Sequence, residues 1–205
     1  MKFTQLKTLS NNLYRFQCDK DLLSKTLSDI KKEEYTNKDR TNYWTVNTLL
    51  NKDPKYKDIH EWFGSCVKAV HNLYKFDCQH ISITQCWANK SQKGQQGHMH
   101  IHPNSLISGV FYLTDASCPT LFVNDSIWKE PSCIRLNRID TETNFLVFHN
   151  EPSIAGNLIL FPSTLRHIQE KHTDTEERYT MAFNTFPSGL CGNETDMMGV
   201  TIEIL

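Results

Sequence analysis

The residues best placed to do chemistry begin with three alternating histidines, His98-Met-His-Ile-His102. Alternate residues of an extended strand share a face. Two imidazoles at positions i and i+2 can therefore converge on one metal ion. A third donor from a distant strand would complete a facial triad and leave positions open for a ligand or oxygen. His167 is the best candidate for that donor. It follows Leu158-Ile-Leu-Phe-Pro-Ser-Thr-Leu-Arg166, which reads as an apolar strand ending in a turn near a cavity mouth. A His-x-His pair alone is weak evidence, because surface strands often carry one. His60 and His71 fall on the polar side of a helical stretch and read as solvated. His80, His149 and His172 read as structural or surface residues, although His149 could line a cavity.

A second constellation strengthens the first. Arg178 lies eleven residues after His167 and opens the stretch Arg-Tyr-Thr-Met-Ala-Phe-Asn184. Alternation puts Arg178, Thr180, Ala182 and Asn184 on one face and Tyr179, Met181 and Phe183 on the other. The apolar face should pack on helices. The other is small and polar with one cation, which suits a pocket floor. A guanidinium there offers a bidentate fork to a carboxylate, and the neighbouring hydroxyl adds a donor. An exposed edge strand would explain the alternation but not the histidine upstream.

These groups need elements to position them. Leu13-Tyr-Arg-Phe16 is strand-like. A helix is expected near 20–33, with Leu22, Leu23, Leu27 and Ile30 on one stripe. Residues 35–57 read mostly as loop. A stronger helix at about 57–75 repeats Ile59, Trp62, Phe63, Cys66, Val70 and Leu73 at spacings of three and four. From residue 80 the period becomes two. Short runs over 81–84, 106–113, 120–123, 145–148, 158–161 and 179–186 are separated by turn residues at Pro103-Asn104, Asn124-Asp125, Asn150-Glu-Pro152 and Gly156-Asn157. Many short strands behind N-terminal helices give a mainly β chain, a barrel or sandwich with helices on one face.

The bulk numbers narrow the function class. The chain has 205 residues, 39% hydrophobic, with 22 Lys+Arg against 23 Asp+Glu. That is enough for one core, and it lacks the basic footprint of a nucleic-acid binder, so no nucleic acid is expected. Seven scattered cysteines without a C-x-x-C read as reduced thiols. No apolar run nears the ~20 residues that span a bilayer, and Met-Lys-Phe-Thr-Gln is no secretory leader. A soluble cytoplasmic protein with no membrane association is the expectation.

Taken in order, His100-Ile-His-Pro-Asn-Ser-Leu-Ile-Ser-Gly-Val-Phe-Tyr-Leu113, Gly156-Asn-Leu-Ile-Leu-Phe-Pro-Ser163, His167 and Arg178-Tyr-Thr-Met-Ala-Phe-Asn184 resemble the 2-oxoglutarate–Fe(II) oxygenases. More specifically, they resemble the small microbial and viral branch related to prolyl hydroxylases. The resemblance spans residues 80–187. It implies a double-stranded β-helix, a jelly-roll or cupin-like barrel, in one domain over 1–205. Residues 1–79 would be helical support, 80–187 the β-helix core and 188–205 a C-terminal extension.

The resemblance also implies roles. His100 would be the first metal ligand and His167 the distal one. Arg178, helped by Thr180, would bind the C5 carboxylate of 2-oxoglutarate, and Tyr112 matches an aromatic position that touches it. Trp87, Asn89 and Asn184 would lie on the substrate side. The family's first motif carries Asp or Glu where this chain has His102. The ligands are then His100, His102 and His167, with His98 as the alternate to His102. Fe(II), 2-oxoglutarate as co-substrate and ascorbate as reductant are the implied cofactors. With O₂, an enzyme of this kind hydroxylates a C–H bond of a small molecule or of a peptidyl side chain such as proline; desaturation and halogenation are variants. Two rivals are a cupin-like three-His metalloenzyme that does not use 2-oxoglutarate and a non-catalytic ligand-binding barrel.

Overall fold

The computed structural model describes residues 3–6, 13–37, 41–123, 148–192 and 199–204. The expected turn at Asn124-Asp125, most of the run 145–148 and Cys133 lie outside them. Helix α1 (Lys20–Ile30) starts at Asp19, whose carboxylate accepts from the Leu22 amide at 2.9 Å. That bond satisfies one of the orphan donors of the first turn. Helix α2 (Lys57–Tyr74) buries Ile59, Phe63, Cys66, Val67 and Val70 and ends at Lys75 in a left-handed conformation. Leu73, expected on the buried stripe, is instead exposed in the last turn.

Twelve strands form two sheets among the described residues. The major sheet takes the order β1 (Phe3–Leu6), β2 (Leu13–Gln17), β9 (Asn157–Pro162), β6 (Ile107–Tyr112), β11 (Arg178–Cys191), β5 (Cys78–Ser91), β4 (Tyr43–Thr45), β3 (Tyr35–Thr36), with β12 (Val200–Ile202) also on β11. The minor sheet is β10 (Arg166–Gln169), β7 (Ala116–Val123), β8 (Phe148–Ser153). Tyr179, Met181 and Phe183 share the buried face that joins the main apolar cluster, as alternation requires. Phe63 meets Phe183 at 4.8 Å and Phe111 at 5.5 Å between ring centroids. Gly109 permits this packing, since a Cβ there would sit 2.3 Å from the Phe183 ring. A second apolar cluster of Leu13, Tyr112, Phe122, Ile159, Phe161 and Leu165 fills the space between the sheets.

Three expectations need correction. Residues 35–57 are not mostly loop, because β3 and β4 extend the sheet edge beyond β5, pairing Trp44 with Asn89. A short edge strand with one wet face carries little apolar signal. Asn150-Glu-Pro152 is not a turn but lies inside β8. Pro152 is tolerated there because β8 is an edge strand and the ladder to β7 breaks register at that end. Glu151, fully buried, is gripped by both Nε and Nη2 of Arg15 at 2.9 Å and by His149 Nε2 at 3.0 Å, which ties the minor sheet to β2. Finally, the segment 98–102 is not a regular strand. It touches β10 through a single bridge, His100 to His167, with reciprocal amide bonds of 3.1 and 3.0 Å.

Candidate metal centre

That bridge brings the distant histidines together. His100 and His167 lie side by side across it, and the chain then turns so that His102 closes the group. His102 Nε2 lies 3.2 Å from His100 Nε2 and 3.2 Å from His167 Nε2. Each Nδ1 is engaged elsewhere. His100 Nδ1 donates to the His98 carbonyl at 2.9 Å, His167 Nδ1 to the Leu165 carbonyl at 3.0 Å, and His102 Nδ1 to Asn184 Oδ1 at 2.5 Å. Oxygen acceptors at all three Nδ1 atoms assign the proton there. Three Nε2 lone pairs then face one another.

Such an arrangement is repulsive unless a cation sits between the nitrogens. Bonds of about 2.1 Å at right angles place two donor nitrogens about 3.0 Å apart, so the two 3.2 Å spacings suit neighbouring ligands of one metal, and all three donor atoms lie within 4.8 Å of one another. Burial pushes His102 down to about 4 and His167 to about 3, and it also lowers His100. All three imidazoles are therefore neutral at physiological pH, the form a metal ligand needs. His98 is exposed and contributes its backbone carbonyl, so the geometry favours His102 over it. Asn184, through its bond to His102, fixes that imidazole's tautomer, as partners of metal-binding histidines commonly do.

The same cavity, about 420 Å³, is lined by Arg178. The guanidinium is 3% exposed, lies over the Tyr112 ring at 5.4 Å, and donates to Ser153 Oγ and Gln169 Oε1, each at 3.1 Å. Among the described residues no carboxylate pairs with it, and burial lowers its pKa. A buried cation without a counter-ion costs several kcal/mol, so this end of the cavity is built for an anion. Thr180 and Thr120 line the cavity and supply hydroxyls.

Residues 85–184 match the family model described as "Putative 2OG-Fe(II) oxygenase". The matched stretch, just under half of the chain, is similar to that family's oxygenase domain. No curated protein sequence matches it. Among solved structures, HygX from Streptomyces hygroscopicus, with nickel, 2-oxoglutarate and hygromycin B bound, superposes with a TM-score of 0.61 at 11% identity, covering 85% of this chain and 82% of that one. A Trichoplax adhaerens prolyl hydroxylase in complex with a hypoxia inducible factor peptide fragment gives 0.60 at 11%, covering 85% and 83%. The alpha ketoglutarate dependent epimerase SnoN from nogalamycin biosynthesis gives 0.66 at 10%, covering 94% and 85%. These likenesses establish the double-stranded β-helix fold, mainly β with few helices.

Within the matched region the expected residues divide. His100, His102, His167, Arg178, Thr180, Trp87 and Asn89 line one cavity. Tyr112 does not; its ring supports Arg178, and its hydroxyl donates to Thr120 Oγ1 at 2.9 Å. Asn184 is likewise not on the substrate side but behind His102. Residues missed from sequence include Gln169, whose Oε1 accepts from Arg178, Ser91 and Asn42, and the wall formed by Thr41, Asn42, Trp44 and Thr48. Only the register of β4 on β5 brings that wall to the cavity. His71, expected to be solvated, bonds the Cys78 carbonyl at 3.1 Å, and His172, 1% exposed, bonds the Glu176 carbonyl. No helix among the described residues is long and apolar enough to cross a membrane, and the six described cysteines are free.

Proposed function

We propose that this oxygenase domain holds Fe(II) through His100, His102 and His167 and binds 2-oxoglutarate with its C5 carboxylate on Arg178. One observation carries the reading: three converging imidazole lone pairs share a cavity with a buried guanidinium that has no counter-ion among the described residues. When bound, Fe(II) supplies the redox chemistry that turns 2-oxoglutarate and O₂ into succinate, CO₂ and an oxidised substrate. The chain supplies placement. Arg178 presents a fork to the carboxylate, Thr180 and Thr120 add hydroxyl donors, and Ser153 and Gln169 hold the fork's orientation. Trp87, ring-stacked on His102 at 5.7 Å, and Asn89 form the side from which a substrate would approach.

The substrate is proposed to be a peptide side chain or a small molecule, the two kinds found with the prolyl hydroxylase and HygX, and hydroxylation its outcome. Ascorbate, the proposed reductant, is tested by adding it to turnover assays. The decisive experiment is anaerobic titration of Fe(II)-loaded protein with 2-oxoglutarate, followed by visible absorbance. A chelate band in wild type, absent in His167→Ala, supports the proposal. Metal binding without any band favours instead the cupin-like three-His enzyme that the histidine at 102 makes its nearest rival.

A further inference from the structure

Away from the metal centre, β5 and β11 run antiparallel from Arg178 opposite Ser91 at one end to Cys191 opposite Cys78 at the other. The register slips by one residue between Ser188 and Cys191. Gly189, at φ +75°, provides the bulge, and any Cβ there would strike the Gln79 side chain at 2.3 Å. Without the extra residue Leu190 would stand opposite Cys78. With it, two cysteines face each other on one side of the sheet.

The amide of Gly192 donates to the Asp77 carbonyl at 2.8 Å. That bond joins the residue after Cys191 to the residue before Cys78. It therefore makes Cys78 and Cys191 a non-hydrogen-bonded pair, in which Cα atoms lie about 4.5 Å apart and side chains approach most closely. A disulfide accepts Cα separations of about 4.4–6.8 Å, so the pair can close without moving the strands. Cys78 and Cys191 are half-exposed, whereas Cys18, Cys66, Cys86 and Cys118 are at most 5% exposed. His71 Nε2 lies 3.7 Å from Cys78 Sγ, within reach of a developing thiolate.

We infer that Cys78 and Cys191 form a reversible oxidation site, a cross-strand dithiol that a hydroperoxide converts to a disulfide. The thiolate of Cys78 attacks the peroxide, forming an S–O bond as the O–O bond breaks and an alcohol or water leaves. Cys191 then attacks that sulfur, forming the S–S bond and expelling water. Two thiols are oxidised and one hydroperoxide is reduced. Because both cysteines are half-exposed, the bond should be readily reduced again by a dithiol.

The test uses the whole purified, reduced protein. It is exposed to hydrogen peroxide, and free thiols are blocked with N-ethylmaleimide. Reduction and iodoacetamide labelling then mark the oxidised positions for peptide mapping. The expected result is loss of two hydrogens in the intact mass, iodoacetamide on Cys78 and Cys191 alone, and full reversal by dithiothreitol. Cys191→Ala should lose the intramolecular bond entirely. Complete N-ethylmaleimide labelling of both residues after peroxide would overturn the inference. So would a disulfide mapped to Cys18 and Cys66, or one joining two molecules.

Discussion

Arg178→Met separates an anion site from a structural cation by sign. In wild type the guanidinium is buried without a carboxylate partner among the described residues. Its two hydrogen bonds and its contact with Tyr112 are worth about 1.5–3 and about 0.5–2 kcal/mol each. Burying the charge costs several kcal/mol. The terms nearly cancel, so the variant without 2-oxoglutarate should lie within about 2 kcal/mol of wild type, or roughly 8 °C in Tm for a domain this size. Ligand reverses the comparison. At one hundred times its Kd, 2-oxoglutarate should stabilise wild type by about 2.7 kcal/mol, a shift of roughly 5–10 °C. The variant should show almost none, because losing two charge-assisted bonds weakens binding by about 3–6 kcal/mol, some two to four powers of ten in Kd. The assay is anaerobic thermal unfolding of Fe(II)-loaded protein over a 2-oxoglutarate series, with metal content measured alongside. A variant that keeps the wild-type shift refutes the role of Arg178. An unliganded Tm lower by more than about 15 °C refutes the premise that its charge is uncompensated.

Other perturbations probe the remaining contacts. Asn184→Ala removes the acceptor that holds His102 and should weaken Fe(II) or Zn(II) affinity about 10–100-fold in a competition titration; unchanged affinity would show that the bond does not position the ligand. Gln169→Glu places a carboxylate where Arg178 now meets an amide oxygen at 3.1 Å. It should raise the Kd for 2-oxoglutarate at least about tenfold and raise the unliganded Tm, and a lower Kd would contradict the counter-ion argument. Low pH tests the histidines in metal-free protein. Folded His102 and His167 protonate only near about 4 and about 3, whereas unfolded imidazoles take up protons below about 6.5. Their stabilisation is complete above that value and is lost as pH falls through it, by about 3–4 kcal/mol between pH 7 and pH 5. Urea midpoints that stay flat over that range would count against neutral, buried imidazoles.

The parts of this architecture with strong periodicity were legible in the sequence. The α2 stripe and the alternation of β11 each report one buried face, so Phe63 and Phe183 could be placed before their contact was known. His100, His167 and Arg178 stood out because their chemistry is rare at such spacing. What stayed hidden depends on pairings between remote segments. Trp44 and Asn42 sit in a polar stretch that extends a sheet edge, and nothing local marks them as a cavity wall. Glu151 looks like part of a turn until Arg15, 136 residues away, is found to hold it. Asn184 falls on the cavity face by alternation and Tyr112 near the carboxylate by family resemblance, but a face or a matching position does not say how far the open space extends, and both side chains stand behind the cavity lining.

The histidine at 102 changes the charge balance of the cavity. Among the described residues lining it there is no Asp or Glu, and Arg178 adds a positive charge. Three neutral imidazoles do nothing to offset a divalent cation. A carboxylate at 102 would remove one unit of that excess in a region of low effective dielectric, where each unit matters most. Here the neutralisation falls to the co-substrate, whose two carboxylates would meet the metal at one end and Arg178 at the other. Metal and 2-oxoglutarate should therefore bind with positive coupling, each raising the other's affinity by the same factor. The rival three-His reading needs no such dianion, and it leaves the buried guanidinium of Arg178 without a purpose.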